Sequence, residues 1–335
     1  MGYRGEKEKI EKKIGKVKRI IFCIVALFLI EVSMFSSAYP PDTWKYYFSL
    51  PDISARKAGE MRLHFIDVGQ GDCTFVELPD GKTMLIDGGT TTQASKLAIL
   101  RYLKALKVDK IDYLVVSHED IDHVGGLAEI VKNISFSRAF LPMCAVTENA
   151  DYAAFYAKIS KSECEIEYSM RKTTLSAGGQ YPYVLQFLYP YTYDVEQGDT
   201  LNMESNERSC VLWLDYQGVS TLFTGDAPAK TENTLIRDSD AGLFDAYNVD
   251  LTSTEILKVS HHGSSNATTD LFARYLGVKD AIVSCGVDND YDHPSKRVQE
   301  TLSTIKANLH RTDLHGSIII TVSANGAYQV QSLGK

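Results

Sequence analysis

Residues 115–126 read VVSHEDIDHVGG. An apolar run ends at Ser117, a pair of glycines begins at Gly125, and between them His118, Asp120, Asp122 and His123 place four metal-ligating side chains in six residues. Left bare, carboxylates this close repel and drive each other's pKa upward. A divalent cation removes that conflict and gains two imidazole bonds, so the segment reads as a metal loop leaving the carboxyl end of a strand.

Outward from that loop the chain alternates strands with strand-to-helix crossings. Residues 61–68, 73–78 and 82–86 have strand composition, the last two joined by the turn Pro79, Asp80, Gly81. Leu97, Leu100, Leu103 and Leu106 recur at helical spacing, residues 111–116 form a short buried strand, and a helix follows from Leu127. Residues 150–208 are polar and aromatic with little period and are expected to hold short strands and a flap. A second hairpin turns at Gln217 and Gly218, followed by strands at 256–259, 281–285 and 317–322 and a helix through 271–276. The pattern predicts an α+β sandwich of two sheets faced by helices.

The first nineteen residues hold eight Lys or Arg and three Glu, a local excess of five positive charges in a chain of net charge −8, so the remainder carries −13. An acidic remainder argues against a broad basic face gripping nucleic acid through counterion release. Residues 20–30 (IIFCIVALFLI) follow the basic run, with small residues at Ser36 and Ala38. A basic start, a short apolar centre and small residues beyond describe a signal peptide or a membrane anchor, so residues 1–38 are expected to direct the bulk of the chain out of the cytoplasm. Residues 39–60 read as a linker and residues 61–335 as the folded domain. The six cysteines include no C-x-x-C pair, so neither a disulfide framework nor a thiolate zinc site is indicated.

The metal loop resembles that of the metallo-β-lactamase superfamily, with Asp120 where a second His is usual. That variant is typical of the hydrolase domain of the competence protein ComEC and its stand-alone relatives. FIDVGQGDCTFVELPDGKTMLIDGG (65–89), TGDA (224–227), LKVSHHGSSNAT (257–268), YDHPS (291–295) and RTDLHGSI (311–318) follow the ComEC-type series in order, and the resemblance runs from residue 61 to the C-terminus. It implies a four-layer αββα sandwich holding two divalent ions, Zn²⁺ or Mn²⁺, bridged by Asp226. His118 and Asp120 would hold one ion, and Asp122, His123 and His293 the other. His262 is expected to bind phosphate or protonate the leaving oxygen, a role open to His261 as well, and the donors of Ser264 and its neighbours suit phosphate oxygens. Asp87 is expected beneath the metal loop, and the glycines of VGQGD allow residues 68–72 a close approach to the site.

One departure concerns the first ion. The superfamily commonly supplies it a further His, yet none occurs between His123 and His261, and Asn206 or Ser209 occupies that region. The first site is therefore expected to be weak and oxygen-rich, a composition that brings manganese into competition with zinc. The expected activity is hydrolysis by a metal-activated water, with Asp122, Asp226 and His262 as the catalytic groups. The expected substrate is a phosphodiester of DNA, RNA or the cell envelope. A lactonase or β-lactamase, and a binding module without turnover, are the alternatives. No protein partner is expected, and the membrane is a partner only if the N-terminal segment stays uncleaved.

Overall fold

The computed structural model describes residues 2–38, 43–48, 50–147 and 149–334. The chain divides into two units, Met1–Ser49 and Leu50–Lys335. The first contains the helix Gly2–Ala38 and the short helix Trp44–Phe48. Among the described residues no helix is long and apolar enough to cross a membrane. Of the linker expected over 39–60, residues 39–42 and 49 lie outside the described residues. Its last part is bound to the second unit, because the Arg62 guanidinium donates to the carbonyls of Ser54 (2.6 Å) and Ala55 (3.2 Å), and the Tyr216 hydroxyl donates to that of Gly59 (2.6 Å).

Among the described residues the second unit carries fifteen strands. The first eight are β1 (Met61–Phe65), β2 (Thr74–Glu77), β3 (Thr83–Ile86), β4 (Lys110–Val115), β5 (Ser135–Leu141), β6 (Glu165–Tyr168), β7 (Thr174–Ala177) and β8 (Tyr183–Tyr189). The others are β9 (Val211–Tyr216), β10 (Val219–Phe223), β11 (Ile256–Lys258), β12 (Asp280–Val283), β13 (Asn308–Arg311), β14 (Ile318–Val322) and β15 (Tyr328–Ser332). They form an eight-stranded sheet in the order β15-β14-β1-β2-β3-β4-β5-β6 and a seven-stranded sheet in the order β13-β12-β11-β10-β9-β8-β7.

Both sheets are mixed. Pairing is parallel from β3 through β6 and from β10 through β13, and antiparallel elsewhere. Parallel neighbours need a crossover, and helices supply it: Gln93–Ala105, Leu127–Asn133 and Ala150–Ile159 in the first sheet, Ala229–Asp240, Asp270–Leu276 and Lys296–Thr304 in the second. The helix Gln93–Ala105 starts where the Thr92 side chain accepts from the Ser95 backbone N–H, and it buries Ala98, Ile99, Tyr102 and Leu103.

Period-two alternation divides the apolar residues among three layers. Met61, Leu63 and Phe65 of β1 meet Leu212, Leu214 and Tyr216 of β9 in the core between the sheets. Phe75, Leu85 and Leu114 face outward against Ile99, Leu103 and Phe155 of the first sheet's helices. Trp213, Leu222 and Leu257 pack likewise against Leu235, Phe272 and Leu302 of the second. Three apolar layers between two sheets and two helical faces make the expected αββα sandwich. The polar stretch 150–208 holds the helices Ala150–Ile159 and Thr192–Gln197, β6, β7, β8 and the turns Asp199–Asn202 and Asn206–Arg208. Among the described residues no disulfide joins any of the cysteines.

Candidate metal centre

Five loops meet at one edge of the sandwich, each leaving the carboxyl end of a parallel strand. They follow β3 with Asp87, β4 with residues 117–123, β10 with Asp226, β11 with His261 and His262, and β12 with residues 284–293. Sites in such sheets collect at strand ends, because there the chain turns away and exposes backbone and side chains together.

The loop after β4 contains one helical turn, Ile121–Val124, where the sequence suggested a helix only from Leu127. The turn aims Asp122 and His123 inward. Asp120 stands at its N-cap without making the capping bond, so its carboxylate stays available. The close approach expected of the VGQGD segment is observed: the Asp72 backbone N–H donates to the Asp122 carbonyl at 3.0 Å, and a Cβ on Gly71 would lie 2.5 Å from that carbonyl.

Asp226 lies at the centre. Its carboxylate is 3.2 Å from His123 Nε2, 3.5 Å from His261 Nε2, 3.7 Å from His262 Nε2 and 4.0 Å from His118 Nε2. Asp120 reaches His118 at 3.5 Å, and Asp122 reaches His262 Nε2 at 3.1 Å. His293, expected beside Asp122 and His123, stands one ring further out. Its ring is 6.2 Å from that of His262 and 5.8 Å from that of His261, and His262 takes the near place. His261 and His262 both have left-handed backbone (φ 50° and 53°), a conformation costly for non-glycine residues and typical of functional loops. Ser264 lies outside the cleft lining, its backbone N–H donating to the His261 carbonyl (2.8 Å).

The far sides of three of the imidazoles are fixed. His123 Nδ1 is 2.9 Å from Asp87, which also accepts from the Ser117 N–H and hydroxyl, both at 2.7 Å. His262 Nδ1 donates to the Ser284 carbonyl at 2.8 Å, and His118 Nδ1 is 3.0 Å from the Ser117 hydroxyl. Asp226 is held by its own N–H, which donates to Ser209 Oγ at 3.1 Å. Asp87 thus occupies the position expected beneath the metal loop.

The inward atoms are left over. His118 Nε2, His123 Nε2, His262 Nε2 and Asp226 Oδ1 are buried without hydrogen-bond partners, and one ligand atom each of Asp72, His123, Asp226 and His262 lie within 4.8 Å of one another. Unpartnered buried polar atoms are costly, and these converge on one point with the N and O donors that suit a divalent ion. The residues fit a metal. Their electrostatics agree. Burial opposes charge on His123, yet Asp226 and Asp87 outweigh it and raise its pKa well above the ordinary value. Burial likewise opposes charge on Asp226, and His123 and His262 hold it well below the ordinary carboxylate range. The pocket therefore demands positive charge, which protons or cations can satisfy.

Sequence reasoning missed Lys258, whose ammonium meets Asp72 at 2.6 Å, and Glu119, which forms a buried ion pair with Arg208. Neither pairing has a local signal, since the partners lie far apart in the chain. The open cleft over the site, about 360 Å³, is lined also by Gln70, Ile121, Asn149 and Tyr291.

The metallo-beta-lactamase superfamily model matches residues 66–139, the span that ends just beyond the metal loop. With that match and the two-sheet sandwich around an aspartate and histidine centre, the chain is similar to the metallo-β-lactamase superfamily over the central strands of the first sheet and the metal loop. Its relatives are of the ComEC type. It is 29% identical to ComE operon protein 3 of Bacillus subtilis over 78% of this chain and 33% of that protein, and 27% identical to competence protein ComA of Neisseria gonorrhoeae over 78% and 32%. A more distant similarity, 24% over 54% of this chain and 26% of the other, is to endoribonuclease ysh1 of Schizosaccharomyces pombe. The chain spans about a third of the length of the competence proteins it matches.

Proposed function

We propose that the chain is an exported phosphodiesterase that works with two divalent ions. The observation that carries this reading is the convergence of buried, unpartnered imidazole nitrogens on the equally buried Asp226. In this assignment His118 and Asp120 serve one ion, Asp122, His123 and His262 serve the other, and Asp226 serves both. His262 moves from the proton-donating role to a ligand because its Nε2 is 3.1 Å from Asp122 while its Nδ1 is committed to Ser284. His293 passes to the substrate side.

Bound ions would supply Lewis-acid charge to the phosphoryl oxygens and make a water acidic. The chain's own groups do the rest. His261 lines the cleft, with Nε2 3.5 Å from Asp226 and the ring partly open to solvent, so it can hold a proton toward a leaving oxygen. Asp87 and Ser284 keep His123 and His262 oriented. The oxygen-rich first site supports manganese beside zinc. A phosphodiester is preferred to a carbonyl substrate because the ComEC-type segments recur in order and because one relative is named an endoribonuclease.

Export is supported by the basic run before residues 20–30 and by the side chains of that run, which are exposed along the N-terminal helix, Phe22 at 74%. Fractionation of the host with a C-terminal tag tests it, and a cytoplasmic full-length product would refute it. The hydrolytic reading is tested with bis-p-nitrophenyl phosphate and with single- and double-stranded DNA under added Mn²⁺ or Zn²⁺. Metal-dependent cleavage that is lost in Asp122→Ala and Asp226→Ala is the expected result. Absence of cleavage with metal bound would redirect the reading to a carbonyl substrate.

A further inference from the structure

The outer wall of the cleft is the turn VDNDYDH at residues 287–293. Asn289 cross-links it. Its side-chain oxygen accepts from the backbone N–H groups of Tyr291 (3.2 Å) and His293 (2.9 Å), and its amide donates to the carbonyls of Gly286 (3.0 Å) and His293 (2.7 Å). Four such bonds hold a surface turn in one conformation without a packed core.

What the turn presents is Tyr291. Its ring lies on that of His293 with centroids 5.5 Å apart and planes 25° from parallel, and His293 lies in the same manner on His262 at 6.2 Å and 21°. Three rings therefore step outward from an imidazole in contact with Asp122 to solvent, where Tyr291 is 67% exposed. A single exposed tyrosine needs no explanation. This one lines the cleft, and the stack that covers its inner face leaves the outer face for a ligand. Gln70 lines the same cleft. Its side-chain oxygen accepts from the Gly286 N–H at 3.1 Å, which leaves the amide N–H groups as donors for a polar edge.

We propose that Tyr291 seats the nucleobase of a nucleotide whose phosphate lies at the metal centre, so that the substrate is a short or single-stranded nucleic acid, or the end of one. This deepens the phosphodiesterase reading and rests on it. Every base offers a π face to an aromatic ring, and such stacking needs no countercharge. The exposed Asp288, Asp290 and Asp292 on the same turn repel the phosphates of a continuous duplex, whose binding depends on cationic contacts. Those carboxylates would also attract a cation to the ring, but quaternary ammonium recognition uses a cage of aromatic residues, and Tyr291 is the one Phe, Tyr or Trp among the described residues lining this cleft.

The test is equilibrium binding to the metal-loaded full chain of adenosine 5′-monophosphate, ribose 5-phosphate and phosphocholine, with Tyr291→Ala and Tyr291→Phe alongside. The expected result is that the nucleotide binds about tenfold more tightly than ribose 5-phosphate. Tyr291→Ala brings it to the ribose 5-phosphate level, and Tyr291→Phe retains the preference. Equal affinities for the first two ligands, or a preference that survives Tyr291→Ala, would overturn the proposal. Tighter binding of phosphocholine than of the nucleotide, lost in Tyr291→Ala, would overturn it in favour of a cation. Binding requires no turnover, so a protein that prefers the nucleotide yet cleaves no phosphodiester would sink the hydrolytic reading and leave the base site standing.

Discussion

The ammonium of Lys258 lies 2.6 Å from the carboxylate of Asp72, with both side chains buried, although 186 residues separate them. Lys258 ends β11, the strand that leads to His261 and His262. Asp72 sits in the loop between β1 and β2, where its backbone N–H donates to the carbonyl of Asp122. The pair thus ties the histidine-bearing strand of one sheet to the metal loop of the other. Burial alone would raise the Asp72 pKa, but Lys258 together with His262 and His123 outweighs it and holds the carboxyl below its ordinary value. Lys258→Met would strand that charge and is expected to cost about 3–5 kcal/mol in chemical denaturation. Lys258→Met with Asp72→Leu removes both charges and should recover much of the loss. A double variant no more stable than Lys258→Met would show that the pair does more than balance charge.

Asp87 makes no contact with the inward face of the site, yet it accepts from Ser117 twice and faces His123 Nδ1. Removing such a partner typically lowers metal affinity about 10–100-fold. Asp87→Ala is expected to show that loss in competition with a chelator. Unchanged affinity would mean that packing alone holds the His123 ring.

Gly126 is required by a close approach. A Cβ there would lie 2.1 Å from the Gly88 carbonyl oxygen, and the Gly88 N–H donates to the His123 carbonyl at 2.7 Å. Gly126→Ala therefore pushes the loop after β3 against the turn that carries His123. A drop in melting temperature together with reduced metal content is expected. A variant with normal values of both would show that the two loops can part without disturbing His123.

Stability should also depend on pH away from the site. Asp280 accepts from His310 and Asn308 on one oxygen and from the Tyr328 hydroxyl on the other. Burial pushes its pKa up, but these bonds outweigh it and hold the carboxyl below its ordinary value of 3.8. The unfolded chain then binds the proton more readily, so the contribution is fully present above about pH 4 and fades as pH falls through the lower folded value. Asp280→Asn should be destabilised at neutral pH, with the difference from the parent narrowing below pH 4. A difference that stays constant down to pH 2 would contradict the argument.

The crowding of His118, Asp120, Asp122 and His123 was legible because six residues cannot separate them. Asp226 was legible as a residue at a strand end within TGDA. β1, which alternates, and β9, which begins with a continuous apolar run, were legible for the same local reason. β13 and β15 were not, because they are half-exposed and largely polar. Sequence placed His293 beside Asp122 and His123, and that His262 stands nearer to Asp122 was not legible, since it depends on the left-handed backbone at His261 and His262. The Lys258 and Asp72 pair is a purely tertiary fact. The exposed Tyr291 acquires meaning only from the rings beneath it.

The most direct measurement of the central claim is the metal content of the full chain after dialysis against Mn²⁺ or Zn²⁺, beside Asp226→Asn. Two equivalents in the parent and at most one in the variant are predicted, because Asp226 is assigned to both ions. A parent that binds no metal, or a variant that keeps both equivalents, would contradict the account.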